Sequence, residues 1–394
     1  MTKTMNLFAI LSLPVLALAS CSGPTSGDSA MAANATASSD PDERISFTSA
    51  TIDTVDEPWA QAFVPGTNVM FVTLKAGSIK AYDIASGRAM TVTGAPQVAY
   101  GGQGGLGDIA FLPGEEGGPD GRTIYLSWAE AGSGGTYGAV VGRGTLACPN
   151  AAGCAIQGLN VIWRQSPKVE GQGHYSHRLA FSPDGEYLFV TSGDRQKQDP
   201  AQDTGNNLGT VVRLLPDGTP APGNPLADRG SPSDQIWSWG HRNLLGIAFD
   251  GDGRLWQMEH GPAGGDELNI IQRGGNYGWP VRSGGENYDG TPIPDHSPDD
   301  GFVKPVINWT PVIAPGNFTF YEGNLFPALA GDILLSGLKT EALIHVAVDG
   351  ANAREVARYP MDRRIRSVID GPDGALYVLE DGDGARVLRL TPSS

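Results

Sequence analysis

Basic residues are scarce in this sequence. There are 27 Lys and Arg against 43 Asp and Glu, a formal net charge of −16 over 394 residues. That balance argues against nucleic acid as the main partner, because phosphate binding needs a basic footprint. It argues equally against attraction to an anionic lipid surface. Charge of either sign is sparse, at 18% of the chain beside 40% hydrophobic residues. Such a mix suits a packed globular protein rather than a disordered one. Cysteine is almost missing, with three in all. No strand–GxGxxG–helix unit is present, and the Gly-rich loop GGQGGLG at 101–107 lies between strands, so NAD(P) is disfavoured. Long helices are poor candidates too, because 55 Gly and 29 Pro interrupt the chain everywhere. What remains is a chain of many short strands and turns.

The N-terminus reads as an address. Lys3 precedes an apolar run from Leu7 to Ala19 that Pro14 breaks. This run is too short to cross a bilayer as a helix and is read as a signal segment over residues 1–20. It ends Leu18-Ala19-Ser20-Cys21, small residues before a Cys, as in a bacterial lipoprotein cleavage box. The expectation is an exported, periplasmic chain anchored to the outer membrane through a lipidated Cys21, with no other membrane contact. An ordinary signal peptide containing a Cys is the alternative. Residues 21–43 are mostly Ser, Ala, Gly, Thr and Asp, a flexible tether. The other two cysteines, Cys148 and Cys154 in CPNAAGC, would close a small disulfide loop in an exported protein. No His or further Cys stands nearby at metal-ligand spacing.

One pattern recurs through residues 44–394. An apolar pair leads into a Pro/Asp/Gly turn and then an aliphatic-aromatic strand, as at 109–128, 179–194, 247–261 and 368–384, with weaker copies at 69–83 and 329–350. Asp-Gly between two short β-rich runs is a hairpin signal, since Gly accepts positive φ and Asp bonds its own turn. Repeated hairpins predict an all-β chain, a six-bladed β-propeller of four-stranded antiparallel blades. About 351 residues over six copies leave roughly 58 each, enough for four strands and loops. A β-sandwich is the alternative. A propeller does not specify a function, so function must come from a site.

Six His are present, and four of them (His174, His177, His241 and His260) lie in Gly-rich loop-like segments. Loops at one end of a propeller converge on its axis, which makes these four worth weighing together. Seven motifs then follow in order: GGQGGLGDIAF (101–111), GHYSHRLAFSPDGEYLF (173–189), GHRNLLGI (240–247), EHGPAGGDELN (259–269), GGNYGWP (274–280), LKT (338–340) and RIRSVIDGPDG (364–374). In these the chain resembles the soluble quinoprotein sugar dehydrogenases, the glucose/sorbosone dehydrogenase family, from about Gly101 to Leu390. GGDELN followed by GGNYGWP is similar to its aldose-dehydrogenase branch. The resemblance implies a six-bladed propeller using pyrroloquinoline quinone (PQQ) and Ca²⁺.

By that resemblance, Gln103, Arg242, Asn243, Lys339, Arg364 and Arg366 would contact PQQ. The chemistry is consistent, because PQQ is a planar tricarboxylate and Arg forks hold carboxylates with paired bonds. Arg364 and Arg366 are two apart, on one face of a strand. Without the resemblance, RRIR at 363–366 would read as a solvated edge strand. Backbone carbonyls of Gly261 and Pro262 would hold the catalytic Ca²⁺, a hard cation that prefers oxygen, with Asp266 behind them. Glu267 and the backbone of Tyr277 would form a second, structural Ca²⁺ site. His174 would be the general base that takes the C1 hydroxyl proton of a cyclic aldose as hydride passes to the quinone, giving the lactone. Asp194 would orient it. A separate electron acceptor would reoxidise the cofactor.

The chain also departs from the family. His177 stands where a small residue is usual, close to the substrate. Gly173 replaces an Asp of the glucose branch, and Leu244-Leu245 replaces a Pro-Gln pair. These departures bear on the substrate more than on the cofactor. Trp237, Trp239 and Trp279 either stack on a quinone or sugar ring or pack between blades. Two other readings stay open: a Ca²⁺-dependent, lactonase-like hydrolase, and a non-catalytic propeller that binds a partner or carbohydrate.

Overall fold

The computed structural model describes residues 44–150 and 153–393. The expected signal segment 1–20, Cys21 and the tether 21–43 lie outside the described residues. Strand β1 (Phe47–Val55) comes first in the chain. β2 (Pro58–Phe63), β3 (Val69–Leu74), β4 (Ser78–Asp83) and β5 (Arg88–Thr93) form the first antiparallel quartet. β6 (Leu106–Phe111), β7 (Thr123–Ala131), β8 (Thr136–Asn150) and β9 (Gly153–Arg164) form the second, with the short β10 (Val169–Glu170) on β8. A parallel pairing of β5 with β9 merges these two quartets into one sheet. The Cys148–Cys154 disulfide expected from the sequence joins β8 to β9.

β11 (Ser176–Phe181), β12 (Leu188–Ser192), β13 (Thr210–Leu214) and β14 (Ile236–Trp239) make the third quartet. In the fourth, β15 (Asn243–Phe249) and β16 (Leu255–His260) are followed by the small β17 (Ala263–Gly264), then β18 (Asp266–Ile270). β19 (Gly285–Glu286) pairs with β17 apart from the sheet, and β20 (Ile307–Trp309) completes the quartet β15-β16-β18-β20. β21 (Pro315–Phe320), β22 (Ile333–Gly337), β23 (Ala342–Asp349) and β24 (Asn352–Pro360) make the fifth. Last come β25 (Ile365–Asp370), β26 (Leu376–Glu380) and β27 (Ala385–Pro392), and β1 from the other end of the chain pairs with β27 as their fourth strand.

The burial patterns follow from this stacking. Strands in the middle of a quartet are covered on both faces, so they read as apolar runs: LFVTS of β12, ILLSG of β22 and LYVLE of β26 are buried throughout. Outer strands such as β1 and β24 carry exposed residues. Each hydrophobic cluster bridges two successive quartets. Phe71 and Ile79 pack with Ile124 and Leu126, and Tyr125 and Val141 with Val190 and Val212. Val211 meets Leu244, Trp256 meets Leu335, and Leu334 meets Val378. The series closes with Tyr377 and Leu379 of the last quartet against Met70 and Val72 of the first. First strands repeat the order, β2 beside β6, β6 beside β11, then β15, β21, β25 and β2 again.

Every one of these first strands carries a register shift near its start. The shifts fall at Pro58/Ala60, Leu106/Ile109, Ser176/Leu179, Leu244/Gly246, Pro315/Phe318 and Ile365/Ser367. A bulge turns a side chain away from the regular pleat. Here the bulges supply Trp59, Asp108, Arg178, Leu245, Gly316 and Arg366, and most of them meet at one point. The Arg178 guanidinium lies 3.9 Å over the Trp59 ring. It donates to Asp108 (3.2 Å), the Leu245 carbonyl (2.8 Å) and the Gly316 carbonyl (2.7 Å). One buried cation thereby ties five quartets together, and its carboxylate partner keeps it from standing unpaired.

Candidate active site

A cavity of about 310 Å³ sits above this knot, lined by residues from the bulges and the loops around them. Gln103, Asn243, Arg364 and Arg366, four of the six expected cofactor contacts, line it. So do Trp59, Lys75, His177, His260 and Asp381. Lys339 is exposed, one residue beyond the lining Leu338. His174 is buried, and the residues after it, Tyr175 to His177, line the wall.

The backbone at 174–177 is unusual. His174, Ser176 and His177 have φ of 46°, 60° and 58°. Left-handed non-Gly residues cost about 1–2 kcal/mol each, so the surroundings must hold them there. The His174 N–H donates to Gln103 Oε1 at 2.7 Å. Ser176 Oγ donates to Asn243 Oδ1 at 3.2 Å and accepts the Leu244 N–H at 2.8 Å. Gly193 is obligatory opposite, because a Cβ there would lie 2.1 Å from the His174 carbonyl.

His174 Nδ1 is 2.7 Å from Asp194 Oδ1. Asp194 Oδ2 accepts the Trp279 indole N–H at 2.8 Å, and Oδ1 also accepts the Gln196 N–H at 2.8 Å. The Asp194 N–H donates to the Arg242 carbonyl at 2.8 Å. Burial alone would raise the Asp194 carboxyl, but these donors and His174 hold it below the usual carboxylate range. A carboxylate that only accepts makes Nδ1 the donor and leaves the lone pair on Nε2. Burial pulls the His174 pKa below the ordinary value, and Asp194 works against that pull. The ring is therefore neutral near pH 7, with a basic nitrogen free.

Arg364 and Arg366 converge on Asp381. Arg364 Nε donates to Oδ2 at 2.8 Å and Arg366 Nε to Oδ1 at 2.8 Å. Burial alone would raise the Asp381 carboxyl, but the two cations hold it below its ordinary value. Arg242 is nearly buried, and its Nη1 donates to the carbonyls of Gly261 (2.8 Å) and His260 (3.1 Å). Its Nε is buried with no partner among the described residues. Asp266 Oδ1 accepts the Gly261 N–H at 2.8 Å, and Oδ2 accepts the N–H groups of Ile313 and Ala314. Burial pushes its pKa up to about 6. The loop that carries Gly261 and Pro262 is thus pinned from behind.

Glu267 is directly opposite Glu259 on the neighbouring strand. Burial first, and then the Glu259 charge, push the Glu267 carboxyl well above its usual value. Asn269 donates to Glu267 Oε2 at 3.2 Å, while Asn269 Oδ1 is buried without a partner. Tyr277 stacks on His241 at 4.4 Å, and its hydroxyl donates to the Ile270 carbonyl at 2.6 Å. Among the described residues, no three or more His, Cys, Asp or Glu side chains are arranged around a metal position.

Sequence reasoning did not select Lys75, Trp59 or Asp381, and it singled out His260 as one of four loop histidines without giving it a role. Lys75 and Trp59 precede the first motif, and Asp381 sits in EDGDG, which reads as a turn. Of the three tryptophans left open, Trp237 packs within the third quartet, against Phe189 and under Arg213 at 4.1 Å. Trp279 belongs to the site through Asp194, with Arg242 5.2 Å from its ring.

Comparison with known proteins places these features. The profile of the glucose/sorbosone dehydrogenase family matches residues 55–389. The chain is 36% identical to aldose sugar dehydrogenase YliI of Escherichia coli (strain K12) over 345 residues, 86% of this chain and 91% of that one. It is 25% identical to quinoprotein glucose dehydrogenase B of Acinetobacter calcoaceticus, over 84% of this chain and 85% of that one. Among solved structures, the apo form of the soluble E. coli aldose sugar dehydrogenase superposes with a TM-score of 0.82 at 35% identity, over 88% of this chain and all of the other. The PQQ-bound aldose sugar dehydrogenase of Streptomyces coelicolor superposes with a TM-score of 0.70 at 26% identity, over 89% and 99%.

Proposed function

The chain belongs to the glucose/sorbosone dehydrogenase family, and from that premise we propose that it is a PQQ- and Ca²⁺-dependent dehydrogenase oxidising cyclic aldoses at C1 to the lactone. It does so on a six-bladed propeller, a reading supported by the six quartets and the closed circuit of first strands. PQQ-bound and quinoprotein relatives support the cofactor.

The donor set fits PQQ. Lys75, Arg364 and Arg366 put three cations on the walls of a cavity of about 310 Å³, within the size range of small-molecule sites. Arg242, with an unpartnered Nε, would add a fourth. The Ca²⁺ residues fit as well. The Gly261 carbonyl already attracts a cationic group, Arg242, and Asp266 holds the loop. At the structural site, the unpartnered Asn269 Oδ1 and the Glu267 carboxyl would offer oxygens to a hard cation. When bound, PQQ supplies the ortho-quinone that takes the hydride and Ca²⁺ polarises its carbonyl.

The chain's own part is proton transfer and placement. His174 Nε2 takes the C1 hydroxyl proton, and Asp194 stabilises the imidazolium that forms. Trp279 and the Gln196 N–H keep the carboxylate turned to His174. Arg364 and Arg366 fix the cofactor plane, and Asp381 keeps both arginines pointed into the cavity. The observation that carries this reading is the buried His174–Asp194–Trp279 relay beside that cationic wall. We also propose export and a lipid anchor at Cys21, supported by the sequence before it, and reoxidation by an external acceptor.

The test is dye reduction by the purified chain with Ca²⁺, with and without PQQ, across a panel of aldoses. Activity that depends on PQQ is expected. The absence of both activity and a PQQ-induced rise in melting temperature would overturn the proposal.

A further inference from the structure

We propose that His177 is a further cofactor-binding residue, whose Nε2 accepts a hydrogen bond from an N–H or O–H donor of the bound quinone cofactor. The inference rests on reading the cavity as the quinone site. It adds a residue that differs from the family's usual small side chain at this position.

His177 occupies the bulge of β11 with φ of 58°, and it is one of the residues that line the cavity. Space has been made for it. A Cβ on Gly107 would lie 1.9 Å from His177 Cε1, so the ring is admitted only because residue 107 is Gly. One face stacks on Trp59, with centroids 5.0 Å apart and planes 12° apart. The ring therefore cannot turn freely.

Proton accounting fixes its tautomer. Ser127 Oγ has one proton and lies 2.8 Å from both the His177 carbonyl and His177 Nδ1. It also accepts the Asp108 N–H at 2.8 Å. If Ser127 donated to Nδ1, its oxygen would face the His177 carbonyl with no proton between them. The consistent arrangement has Ser127 donating to that carbonyl and Nδ1–H donating to Ser127. Nε2 then carries the lone pair, and it makes no protein hydrogen bond among the described residues. Burial, with the Arg178 charge alongside, holds the His177 pKa down to about 3, so the ring stays neutral.

The cavity is rich in donors and poor in spare acceptors. Asp381 is taken by two arginines, and Glu57 by Lys75 and Tyr100. Gln103 Oε1 is taken by the His174 N–H. Nε2 of His177 is a neutral acceptor left over, as is Nδ1 of His260, whose Nε2–H donates to the Pro315 carbonyl at 2.7 Å on another part of the lining. PQQ offers two kinds of donor, the ring N–H present in both redox forms and the hydroxyls that appear only on reduction.

The experiment titrates the full-length, Ca²⁺-loaded protein with oxidised PQQ, and anaerobically with reduced PQQ, following tryptophan fluorescence. His177→Phe keeps the stack on Trp59 and removes both nitrogens. It should weaken binding about tenfold, the size of one hydrogen bond. A loss with both forms assigns the donor to the ring N–H, and a loss with the reduced form alone assigns it to the quinol hydroxyls. His177→Asn tolerates the left-handed backbone and reaches Ser127 without replacing Nε2, so it should show the same loss if the Phe variant does not fold. Wild-type affinity for both forms in a folded variant overturns the proposal. Failure of the wild type to bind either form overturns the underlying reading with it.

Discussion

His174 and His177 are three residues apart in one strained segment, both buried and both left-handed in φ. They differ in what each Nδ1 meets. For His174 it is the carboxylate of Asp194 at 2.7 Å, and for His177 the hydroxyl of Ser127 at 2.8 Å. Burial depresses both rings, but only His174 has a negative partner to oppose the depression, and His177 falls to about 3. The imidazole beside a carboxylate is able to take up a proton and keep it. The one beside a hydroxyl is limited to donating or accepting hydrogen bonds. The partner therefore decides which histidine can act as a base.

The largest test removes the base. His174→Gln should lower kcat by about 10³-fold or more, at the upper end for a lost proton acceptor, while PQQ affinity stays nearly unchanged. Full turnover in that variant would show that proton uptake lies elsewhere. Next, Asp194→Asn should make His174 resemble His177. We expect kcat to fall about 10²–10³-fold. The pH profile carries the sharper signature. Only neutral His174 is a base, so kcat/KM rises with pH through its pKa, and in the wild type that limb lies below the ordinary His value of 6.5. Asp194 raises this pKa, so its loss should move the limb to still lower pH. A limb that stays in place would separate the pH dependence from this pair.

A smaller effect separates grip from chemistry. Arg366→Ala should raise the Kd for PQQ about 10- to 100-fold, the loss of a charge-assisted bond. With PQQ saturating, the acid limb set by His174 should stay where it is. A shifted limb would mean that the cationic wall also tunes the base.

Much of this was legible in the sequence. The hairpins at 179–194, 247–261 and 368–384 appear as β11-β12, β15-β16 and β25-β26, because Asp-Gly turns and apolar runs are local signals. Cys148 and Cys154 are paired as expected. The pairing of β1 with β27 was not legible, since it joins residues more than 300 apart. Nor were the bulges. They leave little trace in composition, yet they place Trp59, His177 and Arg366 around one cavity. Arg364 and Arg366 read as sharing a strand face; Arg364 instead falls just before β25 and Arg366 in its bulge, and both line the cavity. Asp381, the carboxylate between them, was hidden in a turn of Gly and Asp.

Trp279 gives the finest test of the comparison, because the sequence left its ring open to stacking or packing. Its indole N–H holds Asp194 Oδ2 at 2.8 Å, a bond that has no counterpart on Ser127 beside His177. Trp279→Phe keeps an aromatic face and removes that one donor. If Trp279 acts through Asp194, kcat should fall about 3- to 10-fold, as for one neutral-donor hydrogen bond, and the Kd for PQQ should not move. If the ring instead touches the cofactor or the sugar, the smaller Phe face should change Kd or KM and leave kcat alone. The split between these constants thus decides whether the relay behind His174 has two members or three.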